Sequence, residues 1–179
     1  MWFAVECYFD SKTEAGIRKI WTDLAAAHIN SRMVEVGARP HISLTVADCD
    51  VPSALIGRLE QFVRARTRFR ITFGSLGLFP NDRGVMFLAP QASVELINLQ
   101  LDWFAEILPL HLPVWEYYGA RDWTPHCTLA IGLNPDRLID ALTACKTIEL
   151  PLEAEICEIG LIRGPPREDV ISFALPRSV

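Results

Sequence analysis

The chain reads as an α+β protein built from two similar lobes, and three observations lead there. An order of strand, helix, strand, helix, strands occurs twice along the 179 residues. A short pattern of proline, histidine, any residue, hydroxyl residue and leucine also occurs twice, with its histidines 85 residues apart. Third, 50% hydrophobic content is ample for a core, and no linker-like or low-complexity stretch divides the halves. The expectation is one bilobal domain over 1–179, with lobe one near 1–83, lobe two near 84–179, and room for strand exchange between them. Each lobe would be an antiparallel sheet with helices on its outer face. A pseudo-twofold axis would then bring the two histidine-bearing faces to a common cleft.

Taken in order, Met1 to Phe9 reads as a strand, and Ser11-Lys12-Thr13-Glu14 has capping-box spacing for a helix. Ile17, Ile20, Trp21, Leu24 and His28 follow the helical period, which puts His28 on or beside a packed face in a structural or surface role. The first histidine strand covers about 39 to 47. Asp50-Val51-Pro52 opens a helix with Leu55, Leu59, Phe62 and Val63 as its buried stripe. Strands follow at roughly 67 to 73 and 75 to 80, then the turn Asn81-Asp82-Arg83-Gly84 and a strand to Ala89. Arg64, Arg66, Arg68 and Arg70, at every second position, read as the solvated face of a strand.

The second round begins with a helix from about 92 to 108 carrying Val94, Ile97, Leu101, Phe104 and Leu108. A Pro- and aromatic-rich connection, Pro109 to Asp122, leads to the second histidine strand. Asn134-Pro135-Asp136 supplies an N-cap and a proline at the first helical position, with Leu138, Ile139 and Leu142 as the apolar face. Strands at about 147 to 155 and 156 to 163, the turn 164–169, and a last strand from Val170 to Leu175 complete the chain.

Charge and cysteine usage narrow the partners. A net charge of −5 and a pI near 5.4 disfavour long DNA or RNA, which needs many basic residues to neutralise phosphates, but leave room for a short anionic ligand. The five cysteines are odd in number and scattered, without C-x-x-C spacing, as expected of reduced thiols. No apolar run approaches a membrane span and the first residues lack a signal-peptide pattern, so no membrane partner and a cytoplasmic, monomeric protein are expected.

The repeated pattern carries the chemistry. In Arg39-Pro40-His41-Ile42-Ser43-Leu44-Thr45-Val46, strand alternation would turn Ile42, Leu44 and Val46 one way and His41, Ser43 and Thr45 the other. In Thr124-Pro125-His126-Cys127-Thr128-Leu129-Ala130-Ile131 it would set Cys127, Leu129 and Ile131 against His126, Thr128 and Ala130. Two imidazoles facing one space suit phosphodiester cleavage, in which one proton is removed from the attacking group and another delivered to the leaving oxygen. Ser43 and Thr128 would donate to the non-bridging phosphate oxygens. Which histidine is acid and which is base stays open.

These two signatures resemble the paired H-x-[S/T]-x motifs of the two-histidine (2H) phosphoesterase superfamily, the 2′-5′ RNA ligase-like and cyclic nucleotide phosphodiesterase proteins, over essentially the whole chain. The resemblance implies a bilobal fold with a central cleft and a hydrolase acting without metal or other cofactor. Its substrates would be 2′,3′-cyclic phosphates or 2′-5′ linkages of small nucleotides or RNA ends, with His41, Ser43, His126 and Thr128 catalytic. Serine at 43 stands where threonine is commoner and keeps the hydroxyl. Tyr118, Arg121 and Trp123 in the connection, and Arg163 beside the Gly-Pro-Pro turn, are candidate substrate contacts, while Arg39 and Arg167 read as surface residues and His111 as non-catalytic. Two other readings compete. One is a non-catalytic nucleotide-binding module using the same cleft. The other is a metal site of His41, His126 and a cysteine, disfavoured because Cys127 should face away from His126.

Overall fold

The computed structural model describes residues 1–79 and 84–177, so that Asn81-Asp82-Arg83 of the expected turn lies outside the described residues. Seven strands and five α-helices alternate in the order β1 (Trp2–Phe9), α1 (Ser11–Ala26), α2 (Arg32–Glu35), β2 (His41–Ala47), α3 (Ser53–Arg64), β3 (Phe69–Phe79), β4 (Val85–Pro90), α4 (Val94–Ile107), β5 (Cys127–Ala130), α5 (Pro135–Cys145), β6 (Leu152–Gly164) and β7 (Glu168–Ala174) among the described residues. Every strand pair is antiparallel, in the order β2-β1-β6-β3-β4-β5, with β7 beside β6. The fold class is therefore α+β. None of the described helices is long and apolar enough to cross a membrane.

Pairing does not follow the chain half by half. The first strand of the first half, β1, pairs with β6 from the second, and β4 pairs with β3 from the first. Long β6 is the common member: residues 156–164 pair with β1, while its other edge meets β3 at 152–156 and β7 at 158–163.

Several elements form for reasons visible in the residues. Asp10, one position before the expected cap, caps α1: its carboxylate accepts from the Thr13 amide at 3.0 Å and the Thr13 hydroxyl at 2.7 Å. The same carboxylate accepts from the Glu155 amide, which ties the helix start to β6. Ile17, Trp21 and Leu24 then bury one face of α1. Asn134 caps α5 as expected, accepting from the Arg137 amide at 2.9 Å with Pro135 at the first helical position. His28 lies just past α1, exposed and with φ +55.

Other expectations are corrected. Helix α4 is apolar on two sides, so periodicity alone cannot choose its inner face: Leu96, Leu99, Gln100, Trp103 and Ile107 are buried, while Val94, Ile97, Leu101 and Leu108 are exposed. In α5 the packed residues are Leu138, Ala141 and Cys145, and Ile139 and Leu142 face outward. Each expected strand pair flanking 74 and 155 is a single long strand, β3 and β6. An extra residue, Gly74, bulges from β3 where it pairs with β4 and absorbs the local irregularity. The alternating arginines do not share a strand: Arg64 ends α3, Arg66 lies over the Phe62 ring and pairs with Asp102, and Arg68 bonds the Leu175 carbonyl.

The most consequential correction is in the histidine strands. Register runs Glu6↔Ser43 and Val5↔Thr45, leaving Leu44 as an extra residue, and Phe87↔Thr128 and Met86↔Ala130, leaving Leu129 as its counterpart. Each bulge reverses the alternation beyond it. Thr45 and Ala130 turn into the core, both wholly buried, and Val46 turns to the face of His41 and Ser43, packing with Ala4 and Ile162. Thr45 thereby buries a hydroxyl with no hydrogen-bond partner among the described residues, a costly arrangement. Thr45→Val removes the orphaned hydroxyl while keeping the branched shape, and is expected to raise stability by about 1 kcal/mol. An upward shift of the urea midpoint at unchanged slope would register it.

Candidate active site

His41 opens β2, and His126 immediately precedes β5, so the two histidines sit on the two ends of the strand path. Those ends meet. The indole N–H of Trp123, just before β5, donates to the carbonyl of Ser43 in β2 at 3.0 Å. Trp21 of α1 donates to the Thr128 carbonyl, also at 3.0 Å, fixing β5 from the core side. The Cys127 thiol lies against the His41 backbone, and burial pushes it up to about 12, so it is a core thiol facing away from His126.

Both imidazoles are oriented by one device. Nδ1 of His41 lies 2.6 Å from the carbonyl of Arg39, and Nδ1 of His126 lies 2.7 Å from that of Thr124, in each case two residues earlier. A carbonyl only accepts, so Nδ1 carries the proton in both rings and Nε2 is the nitrogen left free of the backbone. Ser43 and Thr128 follow on the same strand faces as their histidines, one residue short of the bulges. The rings sense each other electrostatically: burial holds the His126 pKa below the ordinary imidazole range, the Thr124 carbonyl opposes that, and the charge of His41 adds to it.

The surroundings of the two rings differ. Opposite Thr128, β4 presents Phe87, and the rings of Phe87 and Phe79 stand 5.3 and 5.0 Å from the imidazole of His126. At the matching position opposite Ser43, β1 presents Glu6, only 2% exposed, with Oε1 3.3 Å from Nε2 of His41. The other Glu6 oxygen accepts from the Tyr8 hydroxyl at 2.9 Å and lies 3.6 Å from the Arg167 guanidinium, which also pairs with Asp169 at 3.0 Å. Glycines make room for both arrangements. Gly77 pairs with Phe87 and Gly160 with Glu6, and a Cβ at either would overlap the ring of Phe87 or of Tyr8.

The remaining sequence candidates fall into place unevenly. Tyr118 packs with Trp2 and Trp115 around Ala4, Val46 and Ile162, on the Ser43 side of the sheet. Trp123 spends its N–H on Ser43 and packs against the core. Arg121 is exposed in the connection. Arg163 is not brought to the histidines: register places it on the face of β6 opposite Gly160, ion-paired with Glu168 at 2.8 Å. Arg39 lies 4.0 Å over the Tyr8 ring and is held by Glu14 and Glu158. His111 is exposed at the end of a 3-10 turn, φ +48, beside a separate cavity of about 420 Å³. Among the described residues no group of three His, Cys, Asp or Glu side chains is placed to hold a metal ion. Sequence reasoning missed Glu6, Phe87 and Arg167. The one visible signal was a glutamate inside the otherwise apolar run Trp2 to Phe9.

Comparison with known proteins bears on the fold and the family. No functionally curated protein matches the sequence. Solved structures share the fold at low identity. TT0787 of Thermus thermophilus matches at 16% identity and TM-score 0.65 over 100% of both chains. LigT of E. coli, solved with 3′-AMP, matches at 17% identity and TM-score 0.61 over 97% of each. Usb1 of Kluyveromyces marxianus matches at 11% and 0.52, over 98% of this chain and 97% of its own. The family model of the 2′-5′ RNA ligase superfamily matches residues 10–165, and the chain belongs to that superfamily of 2H phosphoesterases.

Proposed function

We propose that this protein is a metal-independent phosphoesterase that hydrolyses 2′,3′-cyclic phosphates or related 2′-5′ linkages of nucleotides or RNA ends. The observation that carries the reading is the pair of imidazoles on meeting strand ends, each turned by an Nδ1 contact so that Nε2 is the working nitrogen, each with a hydroxyl residue two positions on. One neutral Nε2 can take a proton from the attacking water while one protonated Nε2 delivers a proton to the departing ribose oxygen. Ser43 and Thr128 are suited to donate to the non-bridging oxygens as charge builds on them. His126, half-buried and held neutral to lower pH than an ordinary histidine, suits the accepting part. A nucleotide-sized anion is consistent with the ligands of fold relatives: E. coli LigT has been solved with 3′-AMP and with phosphate, and Kluyveromyces marxianus Usb1 with uridine monophosphate.

The direct test is a panel of 2′,3′-cyclic nucleotides, cyclic-phosphate-ended RNAs and 2′-5′ dinucleotides, with products resolved by phosphate position. His41→Ala and His126→Ala are each expected to lower kcat by about 10²- to 10⁴-fold, and chelator to leave the wild type unchanged. Near-wild-type turnover in either folded variant, or tight nucleotide binding with no product, would sink the reading.

The lowered pKa of His126 sets a pH dependence. As pH falls through the folded-state value, His126 gains a proton and stops accepting one, so kcat/KM should decline on the acid side with a midpoint below about 6.5. Folding follows the same sign. The unfolded chain binds more protons at this residue than the folded one, so stability present above about pH 6.5 is lost as pH falls. Comparing His126→Gln with wild type in denaturant melts across pH 5 to 8 should show a shallower acid loss in the variant.

A further inference from the structure

Glu6 breaks the symmetry of the site. Its counterpart in the second half of the chain is Phe87, each facing the hydroxyl residue of its own motif across a strand pair, so one imidazole meets a carboxylate where the other meets an aromatic ring. The hydrogen positions follow from the acceptors. His41 commits Nδ1–H to the Arg39 carbonyl, so a neutral ring would point a bare lone pair from Nε2 at the carboxylate of Glu6. Two acceptors at 3.3 Å repel, whereas a proton between them makes a charge-assisted contact. Among the described residues no acidic group stands at the corresponding place beside His126, which is bordered by Phe79 and Phe87.

We propose that Glu6 is a positioning residue that keeps a proton on Nε2 of His41, making His41 the proton donor of the pair and leaving His126 to accept. The proposal rests on the phosphoesterase reading above. In the step it describes, an oxygen lone pair of water forms the new bond to phosphorus as His126 Nε2 takes the water proton. The bond from phosphorus to the ribose oxygen breaks, and that oxygen keeps the electron pair and takes the proton from His41 Nε2. Water is added across one P–O bond, and the proton returns from His126 to His41 through solvent.

The groups around His41 are consistent with this part. On β1 are Glu6 and Tyr8, the latter donating its hydroxyl to Glu6 and pushed far up in pKa by burial first and the adjacent carboxylate second. From the turn between β6 and β7 comes Arg167, which balances Glu6 at 3.6 Å and is itself shared with Asp169 of β7. Arg39 is engaged by Glu14 of α1 and Glu158 of β6, and across the site stands His126. Glu6 is thus anchored at one oxygen and presents the other to His41, which is the geometry of an orienting residue more than of a ligand contact.

Glu6→Gln tests this, read by imidazole ¹⁵N spectra of the full-length protein across pH and by pH–rate profiles. At a fixed pH near neutrality the Nε2 resonance of His41 is expected to move toward that of a bare ring nitrogen in Glu6→Gln relative to wild type, with that of His126 little moved. In the rate profile the alkaline limb should move to lower pH, and kcat near neutrality should fall about tenfold with a smaller change in KM. Tyr8→Phe should shift His41 in the opposite sense or not at all, since it removes only the donor that competes for the Glu6 charge. If Glu6→Gln folds poorly, Glu6→Asp keeps the charge but withdraws it, and should give an intermediate shift. An unchanged His41 Nε2 resonance overturns the proposal even if the wild type is active. A shifted His41 in a protein that hydrolyses nothing in the panel supports the Glu6 contact and overturns the phosphoesterase reading instead.

Discussion

Everything at the site depends on β2 and β5, the two ends of one strand path, being held together. Neither strand pairs with the other through a backbone ladder, so the contact is made by side chains. Trp123 reaches from the approach to β5 onto the Ser43 carbonyl, and Trp21 reaches from α1 onto that of Thr128. Trp21 is buried and Trp123 half-buried against the core, and each spends its single donor on a strand carbonyl. Closing the path in this way brings residues 85 positions apart into one electrostatic environment.

Within that closure, small backbone features set the chemistry. The paired bulges at Leu44 and Leu129 end the histidine face after its hydroxyl residue and return the following side chain to the core. Carbonyls two residues before each histidine fix which ring nitrogen is engaged by the backbone and which is left to the side chains. Gly77 and Gly160, whose missing side chains leave space for Phe87 and Tyr8, then allow different neighbours to approach each ring. Symmetry in the backbone coexists with asymmetry in the side chains: one imidazole meets a carboxylate where the other meets two aromatic rings.

The sequence made some of this plain and concealed the rest for physical reasons. Strands and helices with strong periodicity, such as Ile17 to Leu24, were legible, as were the motif histidines, because two copies of one pattern are hard to produce by packing alone. The inner face of α4 was not, since it is apolar on both sides. Nor were the bulges: alternation predicts a face only while register holds, and an inserted residue changes no letter of the motif. Glu6 escaped because its partner depends on cross-strand register rather than sequence neighbours. Of Arg163 and Arg167, four residues apart, Arg163 reads from the sequence as the candidate contact, whereas β6 turns Arg163 to the other face and the turn carries Arg167 to Glu6.

The long strand β6 has one more consequence. Cut between β3 and β4, the amino-terminal piece would keep β1 with β2 but lose β6 from its other edge, and the carboxy-terminal piece would keep β4 with β5 but lose β3. Each fragment would hold an open sheet edge shaped for a strand of the other, a surface that in isolation invites pairing with a second copy. The connectivity is that of a swapped dimer written into a single polypeptide: the halves complete one another, and a fragment of either would be expected to recover order by recruiting its complement rather than by folding alone.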